Sequence, residues 1–147
     1  MKRRADRVHI FSLIFQEAFD RDFNAEAAAA RYFEAAGPAK DIDLEFINAL
    51  FFGVMQNLAK TDALISEHLE GWAMKRLSKP DLAILRLAAY ELMFTDISPK
   101  VAVNEAVVLA KDYSADETGA FVNGVLAKII KALGKAGVKE KPEGEPE

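Results

Sequence analysis

Cysteine is absent from the 147-residue chain, which excludes a disulfide framework, a thiolate zinc site, an iron–sulfur cluster and a cysteine nucleophile. Histidine is scarce: His9 and His68 stand alone and far apart, so a histidine-based metal site is not expected, and neither a metal nor a cofactor is predicted. No apolar run reaches the roughly 18–20 residues a membrane-spanning helix needs. The basic amino terminus is followed by His9, Gln16 and Glu17, not by an uninterrupted apolar signal core. A cytoplasmic protein without a membrane partner is therefore predicted. Strand signals and internal repeats are lacking, and the catalytic motifs are missing too: there is no His-Glu-x-x-His, no phosphate-binding glycine loop and no Gly-x-Ser-x-Gly elbow. An enzyme is not expected.

Against these absences the chain is 51% apolar and 29% charged, enough to build one core in one domain. The pattern is helical throughout. Val8, Phe11, Ile14, Phe15, Ala18 and Phe19 recur at spacings of three and four within Arg4 to Phe19, the period of an amphipathic helix. Asn24 caps a second helix that Gly37-Pro38 ends, and Asp41 or Asp43 opens a third through Leu58. Thr61-Asp62 reads as the start of a fourth segment, through Trp72. Ser78 three residues before Asp81, with Pro80 in the first turn, opens a helix that is apolar almost all round from Leu82 to Phe94, the expected centre of the bundle. Ser98-Pro99 opens the next, and Ser114-x-x-Glu117 reads as a capping box for the last. The fold class predicted is all-α, a single bundle of about seven helices over residues 1–133, followed by a disordered polar tail over 134–147.

Charge is unevenly spread. Lys2, Arg3, Arg4 and Arg7 against Asp6 place +3 on the first seven residues, leaving −7 on the rest of a chain whose net charge is −4. Clustered guanidinium groups neutralise several phosphates at once and release counterions, whereas a solvated tail is the plainer reading of such a cluster. Paired acids at Asp41/Asp43 and Asp116/Glu117 sit where helices begin, and the helix dipole accounts for them. Arg86, among Leu85, Leu87 and Ala88, must be paired or reach solvent: it bridges to an acid such as Glu91 or Glu105, or points outward to a phosphate. Phe121 is a core residue or a stacking platform for a base. Inside an apolar helix, Gly124 reads as a close helix crossing and Asn123 as hydrogen-bonded to a neighbouring backbone.

Three blocks, Ala83-Ile84-Leu85-Arg86-Leu87-Ala88-Ala89-Tyr90-Glu91-Leu92, Lys100 to Lys111 and Phe121-Val122-Asn123-Gly124-Val125-Leu126-Ala127-Lys128, together with the arginine-rich opening and Leu13-Ile14-Phe15-Gln16, resemble the NusB family of transcription antitermination factors. The resemblance covers about residues 2 to 131. It implies a bundle of about seven helices and a non-enzymatic role: binding single-stranded boxA RNA of ribosomal RNA leader transcripts jointly with NusE, a ribosomal protein that doubles as a transcription factor, within an RNA polymerase antitermination complex. Carried over by motif, Lys2, Arg3, Arg4, Arg7, Arg86 and Phe121 would face RNA, and Asp81, Asp116 and Glu117 would face NusE. Leu82 stands where the family usually has a basic residue, Asp6 interrupts the basic run, and Phe15 replaces the usual tyrosine. The alternative is a protein-interaction domain or homodimer with no direct RNA role.

Overall fold

The apolar spacing read from the amino terminus is realised in helix α1 (Lys2–Glu17) of the computed structural model, which describes residues 2–36, 42–71, 73–115 and 117–134. The first turns of α1 hold the arginines, so the basic segment is helical and not an extended arm. Helix α2 (Ala25–Ala36) starts as expected, with the Ala27 N–H donating to Asn24 Oδ1 at 2.8 Å. Asp43, not Asp41, caps α3 (Leu44–Gln56), its carboxylate accepting from the Phe46 N–H. The Gly37-Pro38 stop, Asp41, Trp72 and residues 135–147 of the expected tail lie outside the described residues.

The break after α3 differs from the expectation. It falls at Asn57, with α4 spanning Leu58–Glu67 and Thr61 buried inside it. The Asn57 side-chain amide donates to the Gly53 carbonyl at 2.8 Å, offering the backbone a partner that competes with helix continuation. A 3₁₀ turn, Met74–Arg76, leads into α5 (Lys79–Phe94), where the Ser78 hydroxyl accepts from the Asp81 N–H. Nine side chains of α5 are buried, from Ala83 to Leu92, and the helix packs against α1, α3 and α4 and against the two that follow, α6 (Pro99–Tyr113) and α7 (Thr118–Ala132). The all-round apolar stretch is thus the axis of the bundle, as its composition requires. The described residues form seven α-helices and no strand.

At α7 two expectations are corrected. Ser114 is no capping-box residue: Glu117 occupies the cap position without a side-chain bond, and the Ser114 hydroxyl turns instead to Asp81 at 2.5 Å. Gly124 is exposed, and a methyl built there would touch nothing within 4 Å, so no helix crosses closely at that point. The close approach is at Gly53, where an added methyl would overlap the hydroxyl and ring of Tyr90. Because Tyr90 is itself held against Phe94, ring centroids 5.1 Å apart, Gly53→Ala is expected to destabilise the fold by about 1–3 kcal/mol through overpacking. Urea denaturation reads this loss, and the double variant G53A/Y90F should regain only part of it, because the ring carbons clash along with the hydroxyl.

Candidate nucleic-acid interface

The arginines of α1 do not project as a free positive patch. Arg3 donates to Asp43 at 3.0 Å and to Asp6 at 3.4 Å, with its guanidinium 3.7 Å from the centre of the Phe46 ring. Arg4 grips Glu105 with two hydrogen bonds, 3.2 and 2.9 Å, a bidentate geometry that holds its guanidinium above the ordinary range. Both remain about half exposed, at 49% and 47%. Arg7 is different. It is buried and donates to Glu91 at 2.6 Å, while its Nε has no partner among the described residues. Burial pushes the Glu91 carboxyl above the usual range, and the Arg7 hydrogen bond and charge offset part of that rise. The expectation that Arg7 belongs to an accessible arm is corrected: its charge is spent inside the fold. Asp6, read as a partial offset to the arginines, is fully buried and accepts from the Asp43 N–H, which ties α1 to the start of α3.

Arg86 is paired, though not with the acids the sequence offered. Two bonds to Asp62, 2.9 and 2.8 Å, and one to Glu17, 2.7 Å, make it a strut joining α5 to α4 and α1. Burial works against its charge, and the carboxylates outweigh burial, so the guanidinium is held above its ordinary range.

The remaining candidates gather at the opposite end of α1. Asp81, Glu117 and Phe121 line one groove of about 330 Å³ with Arg76 and Leu77. Asp81 is half-buried and latches the start of α5 to the turn between α6 and α7 through Ser114, whose hydroxyl also lies 3.2 Å from that of Thr118. Glu117 is exposed, Phe121 is half-buried, and Asp116 lies outside the described residues, as does the Lys2 side chain. Leu77 separates this groove from a cleft of about 570 Å³ bounded by the end of α1 and the start of α5. Arg86 and Leu82 line that cleft, and Lys79, one turn before Leu82, brings an ammonium to it. At 1.5 Å per residue, the ten residues of α5 between Asp81 and Glu91 put the α1 arginines about 15 Å from the Asp81–Phe121 groove. The predicted residues are therefore divided among the first turns of α1, the cleft at Arg86 and the groove at Phe121.

Sequence reasoning did not single out Phe19, Arg21, Lys75, Arg76 and Lys79, which line the cleft and the groove. It also missed a run of aromatic contacts along α1, in which Phe11, Phe15 and Phe19 follow at intervals of four, ring centres 5.9 and 4.9 Å apart, with Tyr113 against Phe11 at 5.3 Å. The interval of four was legible as the period of an amphipathic helix. No group of three metal-ligating side chains is brought together among the described residues, and no described helix is long and apolar enough to cross a membrane.

These features define a small helical bundle whose candidate site is an open surface of cations, aromatics and acids around one end of the central helix. Residues 4–131 match the profile of the NusB family. The chain is 45% identical over 131 residues to the transcription antitermination protein NusB of Agathobacter rectalis, spanning 88% of this chain and 99% of that one. With the NusB of Clostridium novyi it shares 43% identity over 133 residues, 90% of this chain and 100% of that one. Its fold superposes on T. maritima NusB with a TM-score of 0.78 at 38% identity, covering 88% and 90% of the two chains. A crystal structure of the antitermination factors NusB and NusE in complex with dsRNA is also similar, TM-score 0.79 and 28% identity over 89% of this chain and 97% of that one. The chain belongs to the NusB family.

Proposed function

We propose that this protein is an RNA-binding antitermination factor that binds boxA RNA of ribosomal RNA transcripts together with NusE and so promotes processive transcription of ribosomal RNA operons in the cytoplasm. The observation that carries the reading is the surface around the start of α5, where Arg76, Phe121 and Glu117 share one groove in a chain of the NusB family. Guanidinium and aromatic faces there suit phosphates and unpaired bases, and the acidic edge at Asp81 and Glu117 suits a basic protein partner. Arg3 and Arg4 are half exposed on salt bridges worth little in water, so phosphates can replace Asp43 and Glu105 as their partners.

A titration of the purified protein with a boxA RNA, with and without NusE, tests this. Tight binding only when both proteins are present supports the joint mechanism; indifference to RNA and NusE alike sinks it. Arg3→Ala/Arg4→Ala is expected to leave the fold intact, to weaken RNA binding, and to reduce the slope of log affinity against log salt by about 1.4, since each phosphate neutralised on a single strand is worth about 0.7. An unchanged slope would remove these arginines from the interface.

A further inference from the structure

The cleft between the end of α1 and the start of α5 differs electrostatically from the amino-terminal turns of α1. Arg3, Arg4, Arg7 and Arg86 are each neutralised by carboxylates within 3.4 Å. Arg21, Lys75 and Lys79 line the cleft and make no ion pair among the described residues. Two acids share the cleft with them. Glu17 is bound by Arg86, and Asp20 accepts from the Asp22 N–H. With Arg86, four cations face two carboxylates there, on a protein whose net charge is −4.

Beside these cations stands Phe19, 62% exposed, the most exposed of the large apolar side chains described. Its ring is braced on one side by the Phe15 ring, 77° to it at 4.9 Å, and the Lys79 ammonium lies 5.3 Å from its centre. An aromatic face that costs hydrophobic exposure, fixed in orientation and flanked by unpaired cations, is the arrangement by which proteins hold single-stranded nucleic acid: the base stacks, and the backbone is drawn in by charge. A volume of about 570 Å³ lies within the range of small-molecule sites and has room for a nucleotide with its flanking phosphate.

We propose that this cleft is a nucleotide subsite in which one unpaired base of the bound RNA stacks on Phe19 while Arg21, Lys75 and Lys79 hold the adjoining phosphates. The proposal rests on the RNA-binding function above and extends it to residues outside the groove at Phe121. It places the phosphate contacts on cations that bind without first breaking a salt bridge.

The test uses the full chain with NusE and a boxA RNA extended by several nucleotides at each end, carrying 2-aminopurine at one position at a time. In the unsubstituted protein one position should be quenched on binding, and Phe19→Leu should abolish that quench and weaken affinity about tenfold to a hundredfold. Arg21→Gln/Lys79→Gln should lower the slope of log affinity against log salt by about 1.4. Phe94→Leu supplies the control, because Phe94 is also exposed, with Lys60 5.9 Å from its ring centre, but does not line this cleft; its affinity should stay unchanged. All four positions are exposed, so thermal unfolding of the variants should match that of the unsubstituted protein. If that protein binds the RNA and Phe19→Leu and Arg21→Gln/Lys79→Gln bind it with the same affinity, quench and slope, the subsite is overturned and the RNA-binding function stands. If the unsubstituted protein binds no RNA, both fall. Loss of NusE affinity in the absence of RNA would assign the cleft to a protein partner and overturn the proposal as well.

Discussion

Arg7→Ala is expected to destabilise the protein by about 3–5 kcal/mol at neutral and alkaline pH, because it leaves the Glu91 carboxylate buried without its cation. Glu91 is only 3% exposed, so water cannot replace the 2.6 Å bond from Arg7. The loss should depend on pH in a definite direction. Burial already raises the Glu91 carboxyl, and Arg7 supplies the two effects that lower it; without Arg7 the folded-state value climbs further above the unfolded value of about 4.3. A group raised in the folded state contributes stability that is present below the unfolded value and lost as pH rises through the folded one. The variant should therefore come closest to the parent near pH 4 to 5, where Glu91 protonates at little cost, and fall furthest behind at pH 8. Urea denaturation at the two pH values measures the difference, and an equal loss at both would show that Glu91 is not the group left stranded. Arg7→Met/Glu91→Leu, which removes both charges, should recover most of the stability. An Arg3, Arg4 and Arg7 triple alanine variant would thus mix loss of fold with loss of contacts, whereas Arg3→Ala/Arg4→Ala keeps the two apart.

Arg86→Met carries the second large effect, about 3 kcal/mol. The substitution keeps the apolar stem and removes three charge-assisted hydrogen bonds that join α5 to α4 and α1. The cost falls at the lower end of the range for broken buried pairs, because Glu17 and Asp62 are 27% and 30% exposed and reach water once released. Arg86→Lys should recover little, since an ammonium cannot span the fork that holds Asp62 by two bonds. Arg86 also lines the cleft and neutralises Glu17 there. Arg86→Met therefore leaves a bare carboxylate beside the remaining cations and should weaken RNA affinity when binding is measured well below the unfolding temperature. Unchanged affinity there would make Arg86 a strut alone.

The positions of Arg7 and Arg86 mark where sequence reasoning stopped. The period of α1, the all-round apolar run of α5 and the caps at Asn24, Asp43 and Ser78 were legible because each depends on residues within four positions of one another. The break at Asn57 was not, because apolar periodicity runs through it from Val54 to Leu58 and the competing bond from its side chain to Gly53 leaves no mark in composition. Gly124 was misread for the converse reason: an exposed glycine and one at a close crossing look the same until the neighbouring helices are placed, and the close approach belonged to Gly53 and Tyr90.

For the site, residue types were legible and partnerships were not. Arg7 meets Glu91 across 84 positions, and Arg4 meets Glu105 across 101, distances over which a linear charge count carries no information. The same folding that neutralised the amino-terminal arginines brought Phe19 and Arg21 from the end of α1 against Lys75 and Lys79 before α5, leaving their charge uncompensated.

By itself the sequence determined the helical class, the central place of α5, the absence of cysteine chemistry and the family blocks that make this chain a NusB protein, all properties of local pattern and composition. Only the tertiary structure decided which cations remain available to a phosphate, because that depends on which carboxylates the packing of α1 against α3, α5 and α6 carries to within hydrogen-bonding distance.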